Sequence, residues 1–219
     1  MFLRVNLGLS ARFPELAARV IRVRGVEVRR SHPELERFKA EVVERVRSRW
    51  TLDELREHPR FRAYRDFFWR IGVDPTKTRP ASEALIRRVL RGRPLPRINT
   101  LVDAYNLASI ETAVALAAFD EDGLAGEPLM REAEAGEEFL GIGMERPVVL
   151  RGGEAVVDDG EKLIAIYPYR DAEACKITEG TENVLMLVCG VPQIDDDALA
   201  RAGRVAVEYV TRFCGGAEA

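Results

Sequence analysis

Apolar positions in this chain follow helical spacing in its first half and short, glycine-punctuated runs in its second. The opening FLRVNLGL alternates well enough to predict a strand, and RVIRVRGVEV near residue 20 predicts another. From Pro33 onward Leu35, Phe38, Val42, Val46 and Trp50 recur at helical spacing, with Glu, Arg and Lys on the other faces. A second helix carries Phe61, Tyr64, Phe67, Phe68 and Ile71 on one side and stops at Gly72. These aromatics share the apolar stripe, so they are expected in the core. A third helix, from about Ala81 to Arg91, buries Leu85, Ile86, Val89 and Leu90 and turns Arg87, Arg88 and Arg91 outward. The prolines of RGRPLPRIN forbid helix there, and a fourth helix runs from about Thr100 through Ala113.

Beyond Phe119 the candidate strands are EPLMREA, EEFLGIG, RPVVLRG, EAVVDD, KLIAIYPY and NVLMLVCGV, with turns at AEAGEE, RGGE and DDGEK. NVLMLVCGV is continuously apolar and is expected to be a central strand covered on both faces. A last helix starts at Asp195–Asp197, acids suited to its positive end, and docks through Ala198, Leu199, Ala202, Val205, Ala206, Tyr209, Val210 and Phe213. The pattern predicts one α+β domain over residues 1–219. It consists of an N-terminal α/β extension (1–58), a helical segment (59–97), a curled-sheet or sandwich-like core (98–215) and a closing helix.

Composition narrows the class. The chain is 47% hydrophobic and 32% charged, a globular balance, and its longest apolar stretch, Ala113 to Phe119, is far short of the roughly 18 residues a membrane span requires. Arg4 interrupts the only apolar patch of the N-terminus, so no signal peptide is expected, and the reading is a cytoplasmic chain without membrane contact. Cys175, Cys189 and Cys214 have no paired spacing, which argues against a disulfide framework or zinc site; no metal or cofactor is implied. His32 and His58 each precede a proline and belong most simply at helix starts.

Charge is polarised. Residues 1–97 hold 24 Lys and Arg against 12 Asp and Glu, whereas residues 98–219 hold 9 against 24. Arg60 to Arg97 is the densest positive stretch, with 11 basic residues against Asp66, Asp74 and Glu83. Nearly all the cations are Arg, which suits bidentate phosphate contacts. Arg79, Arg87, Arg88, Arg91, Arg93 and Arg97 are therefore candidate RNA contacts; the alternative is a merely solvated face.

Residues 97–138 carry more specific information: RINTLVDAYNLAS, AAFDEDGLAG and LMREAEAGEEF. With VVDDGEKLIAIYPYR and ITEGTENVLML they resemble the editing module, the third and fourth structural modules, of the β subunit of phenylalanyl-tRNA synthetase. The matching elements are I-N-x-x-V-D-x-x-N, A-F-D, L-x-G, R-x-A-x-x-G-E and a T-x-x-T turn, in order across about residues 75 to 192. TRPASEAL and LPRIN are similar to elements of free-standing proteins built from this module alone. The resemblance implies hydrolysis, in trans, of the ester of mischarged aminoacyl-tRNA, with tRNA or aminoacyl-tRNA as partner. The oligomeric state is left open. Two alternatives stand beside it: an inactive RNA-binding protein of the same fold, and a small-molecule or amino-acid binder.

The family's pocket asparagine falls on Asn106, the first catalytic candidate; its amide either orients water and substrate or makes a helix-to-strand hydrogen bond. Asn99 and Asp103 open the same helix, where capping is the stronger reading, with Asn99 also a substrate-binding candidate. Bacterial members carry a histidine where this chain has Ala117, and a glutamate that falls near Cys175 or Lys176. In their place stand Arg170, Asp171, Lys176, Thr178 and Thr181 as substrate-binding candidates. Arg170 and Asp171 are read either as an ion pair at a strand turn or with Arg170 on a phosphate or carbonyl oxygen of the substrate.

Overall fold

The computed structural model describes residues 1–219. Its first strand, β1 (Arg4–Val5), is cut short at Asn6, whose side chain accepts a 2.8 Å hydrogen bond from Leu9 N and caps α1 (Leu7–Arg12). FLRVNLGL is thus not one strand. Alternation would have put Leu7 and Leu9 on one face, whereas the helix buries Leu9 and leaves Leu7 89% exposed. After β2 (Ala18–Arg24) comes α2 (Pro33–Arg49), with proline in its first turn, where a missing N–H costs nothing. A short α3 (Leu52–Glu57) follows, closed by a reciprocal Thr51–Glu54 capping box. Then come α4 (Pro59–Arg70), α5 (Ala81–Leu90) and α6 (Thr100–Thr112). His32 and His58 occupy the cap positions of α2 and α4 without capping through their side chains.

The second half contributes β3 (Ala115–Asp120), β4 (Leu129–Glu132), β5 (Glu138–Phe139), β6 (Val148–Val149), β7 (Ala155–Asp158), β8 (Leu163–Ile166), β9 (Arg170–Asp171) and β10 (Asn183–Cys189). It closes with α7 (Asp196–Cys214) and β11 (Ala217–Glu218). One antiparallel sheet has the order β11-β2-β10-β3; a second has β1-β4-β7-β8-β9, with β1 parallel to β4; β5 and β6 form a small ribbon. This is the α+β architecture expected. NVLMLVCGV lies between β2 and β3, buried from Val184 to Cys189, as its continuous apolarity requires. Asp195 caps α7 through Ala198 N at 2.7 Å. Gly203 lets that helix approach the sheet: a Cβ there would stand 2.6 Å from Ile21 Cδ1. α6 packs against α7 and β3, and α5 against α6. No helix is long and apolar enough to cross a membrane.

The basic helices are bolted to the sheet by Tyr64, a wholly buried residue of the aromatic stripe. Its hydroxyl accepts from Ala115 N at 3.0 Å and donates to Cys189 O, so α4 is tied to the ends of β3 and β10. Tyr64→Phe leaves both main-chain groups without a partner in the core. Chemical denaturation is expected to show a loss of about 1–3 kcal/mol with an unchanged denaturant slope. A change inside about 0.5 kcal/mol would mean that the hydroxyl does not hold the two parts together.

Candidate functional site

α5 buries Ile86 and Val89, which turns its arginines to the opposite side. Beneath them lies Glu83, completely buried and facing three guanidinium groups. Arg65 Nη1 is 3.0 Å from Glu83 Oε2, and Arg79 Nη1 and Arg87 Nη1 are 3.6 and 3.7 Å from Oε1. One carboxylate therefore balances three cations, a constraint on this face that the stretch's overall charge conceals. Burial, then the like charges of Arg79, Arg91 and Arg65, holds Arg87 below the ordinary guanidinium value, although Glu83 pulls the other way. Its Nε is buried without a hydrogen-bond partner.

Above this triad is a depression of about 310 Å³ lined by Arg79, Arg87, Arg88, Arg91 and Arg93, with Ala84, Leu85 and Pro96 and no acid. Arg88 Nε donates to Pro94 O, which folds the RGRP segment back against α5. Arg79 and Arg87 also line an adjoining depression of about 560 Å³, with Arg56, Arg62, Arg65 and Trp69. Of the six arginines singled out in the sequence, five share one concave surface. Arg97 does not: it lies outside, paired with Glu36 of α2 at 2.9 Å.

A second arrangement forms where α6 meets β9 and β10. Asn99, buried, caps α6 by accepting from Val102 N at 2.9 Å, and its Nδ2 reaches Ile177 O at 3.4 Å. Asp103 is buried in a bond to Lys39 Nζ (2.7 Å) and accepts from Ile98 N (3.1 Å), so it too locks the helix start. One and two turns on, the same helix presents Val102, Tyr105 and Asn106, all half-buried. The Asn106 amide makes no helix-to-strand hydrogen bond and remains open to solvent.

Asp171 on β9 is also half-buried and has no hydrogen-bond or ion-pair partner for its carboxylate. Burial pushes its carboxyl up to about 7 against a weak opposing pull from Arg170. Its charge, after burial itself, raises the Tyr105 phenol and the Cys175 and Cys189 thiols, so these groups surround it. Strong desolvation at a group that still meets solvent describes a narrow cleft rather than a packed core. The expected Arg170–Asp171 ion pair is absent because adjacent strand residues point to opposite faces. Arg170 is exposed and donates to Ile142 O at 3.2 Å.

The remaining candidates have local partners. Lys176 is exposed and paired with Glu173. Thr181 is buried; its hydroxyl accepts from Thr178 N (3.0 Å) and donates to Asp120 Oδ2 (2.7 Å), tying the T-x-x-T turn to the A-F-D strand. Thr178 accepts from Gly180 N at 3.2 Å. Ala117 is buried on β3 opposite Leu187, with no ionisable group at that point.

Several residues of this surface escape a reading of the sequence. Trp69 is 58% exposed and falls off the Phe61–Tyr64–Phe68 stripe, a periodicity signal that marks it as outward-facing. Arg62 and Arg65 look like solvated helix positions until α5 is brought beside α4. Tyr105 is one of many half-apolar positions on α6, and only the fold sets it near Asp171.

The B3/4 domain family model matches residues 63–215. The phenylalanine–tRNA ligase β subunit of Geobacter metallireducens is 37% identical over 109 residues, covering 49% of this chain and 13% of that subunit. The β subunit of Fusobacterium nucleatum is 35% identical over 100 residues, covering 45% of this chain and 12% of that subunit. The chain therefore spans about an eighth of the length of these relatives. In structure it is similar to an N-terminal fragment of the phenylalanyl-tRNA synthetase β subunit from Pyrococcus horikoshii. That likeness has a TM-score of 0.52 at 14% identity over 99% of this chain and 49% of the fragment, and it shows a shared fold.

Proposed function

Since this chain belongs to the B3/4 domain family, we propose that it binds tRNA through the arginine surface of α4 and α5 and hydrolyses, in trans, the ester of a mischarged aminoacyl-tRNA. The observation that carries the reading is the depression lined by five arginines and no acid, on a helix packed against α6, the helix that bears Asn106. An acid-free arginine hollow favours a polyanion, and phosphates neutralised there release counterions. The ester is already reactive, so positioning and a few donors suffice.

On this reading the unpartnered Asp171 carboxylate takes a proton from water as the water oxygen attacks the ester carbonyl. The Asn106 amide donates to the oxyanion that develops. Collapse breaks the acyl–oxygen bond, the ribose oxygen leaves and regains a proton, and free amino acid and uncharged tRNA result. One such donor is worth on the order of 10²–10³ in rate. Asn106→Ala is accordingly expected to slow release of tyrosine from tyrosyl-tRNA(Phe) by about a hundredfold while leaving tRNA affinity unchanged. Wild-type release no faster than buffer, with this or other mispaired substrates, would end the catalytic part.

A second reading, an RNA-binding protein without turnover, is favoured by one observation: Ala117 supplies no imidazole where bacterial family members have one. Turnover separates the two readings.

A further inference from the structure

Trp69 is the ridge between two arginine-lined hollows. On one side is the depression that contains Arg62, Arg65, Arg79 and Arg87. On the other is a cavity of about 680 Å³ lined by Trp69, Arg12, Arg70, Arg151 and Tyr169, with Glu154 as its single acid. Arg12 and Arg70 are held on the face of Phe13, with their guanidinium carbons 5.0 and 4.5 Å from the ring centre. Arg12 is fixed further by Gly153 O (2.8 Å) and Arg70 O (3.1 Å). The indole itself is more than half exposed, whereas the chain's other tryptophan, Trp50, packs beside His58 and Phe61.

We propose that this track holds a single-stranded segment of nucleic acid, with an unpaired base stacked on Trp69 and the flanking phosphates in the hollows on either side. The inference rests on the RNA reading above and specifies which part of the RNA is gripped. Each element follows from the chemistry. A flat aromatic face open to solvent accepts any base that is free to unstack, and pre-oriented arginines to either side match phosphates that continue past that base. A duplex keeps its bases stacked on one another and cannot present one to the indole. A protein partner would have no reason to require cations on both flanks of one aromatic residue. The track approaches the cleft through Tyr169, which lines the second hollow two residues before Asp171.

The test uses the intact protein, a short oligoadenylate, the same strand annealed to its complement, and uncharged tRNA. The expected result is quenching of tryptophan fluorescence by the single strand and not by the duplex. Trp69→Ala should remove the quenching while Trp50 still emits, and should weaken strand binding about tenfold with little change in salt slope. Trp69→Phe should retain most of the affinity, which separates stacking from a general disturbance of α4. Strand binding by Trp69→Ala equal to wild type, or quenching that survives the substitution, overturns the stacking inference and leaves tRNA binding standing. Failure of the wild-type protein to bind either tRNA or oligoadenylate at low salt overturns both.

Discussion

Replacing Arg88, Arg91 and Arg93 together by Glu is expected to weaken tRNA binding by roughly a thousandfold at low salt, about 1.4 kcal/mol per arginine. These three carry no carboxylate partner, line the acid-free hollow and stand at the solvent-facing end of α5. Every phosphate that is no longer neutralised also lowers the dependence of log affinity on log salt by about 0.7–0.9. The slope should therefore fall by about 2–3, a readout that a merely structural role would not move. Stability should stay within about 0.5 kcal/mol because nothing buried depends on these side chains. Arg87 is deliberately left in place. Its reversal would set a second carboxylate against buried Glu83, and a loss of binding would then report unfolding. An unchanged salt slope in the triple variant would show that the tRNA is held elsewhere.

The second large effect is expected at Asp171. If its carboxylate receives the proton of the attacking water, the rate of deacylation should rise with pH and level off above about 7, where burial has placed the group. Asp171→Asn should remove that dependence and lower the plateau by about 10²–10⁴. The same substitution has the opposite effect on stability. The carboxyl titrates near 3.8 when unfolded and near 7 when folded, so folding favours its protonated form. The stability this confers is complete below 3.8, declines as pH rises through about 7, and is gone above it. Asp171→Asn should consequently melt higher than wild type at pH 8, with the gap closing toward pH 4. Coincident melting temperatures at pH 8 would mean that the carboxylate is not desolvated, and the cleft would lose its chemistry.

What could be read from the sequence followed how local each signal is. The stripes of α2, α4, α5 and α7 and the unbroken apolarity of β10 are repeated locally many times, and those elements stand where their periods put them. FLRVNLGL has too few residues for alternation to outweigh one capping asparagine, and the strand stops at Val5. EEFLGIG and RPVVLRG shrink to two-residue strands because each finds a partner only over that length.

The site is less legible, since its chemistry depends on groups far apart in the chain. Glu83 counts as one acid in a basic stretch, yet the crossing of α4 and α5 makes it the buried hub of three arginines. Arg97 shares the composition of its neighbours but is drawn to Glu36 on another helix. Arg170 and Asp171 invite pairing as sequence neighbours, and the strand geometry sends them apart. The T-x-x-T turn is recognisable by spacing, while the bond from Thr181 to Asp120 requires β3 and the turn to meet.

The central claim is that the arginine hollow delivers an aminoacylated nucleic-acid end to the cleft of Asn106 and Asp171. Steady-state deacylation of tyrosyl-tRNA(Phe) by the wild-type protein and by the Arg88/Arg91/Arg93 triple Glu variant tests it most directly. The account predicts turnover by the wild type, and in the variant a KM raised in proportion to the weakened tRNA affinity with kcat nearly preserved. Turnover that is indifferent to the three reversals, or absent altogether, would contradict it.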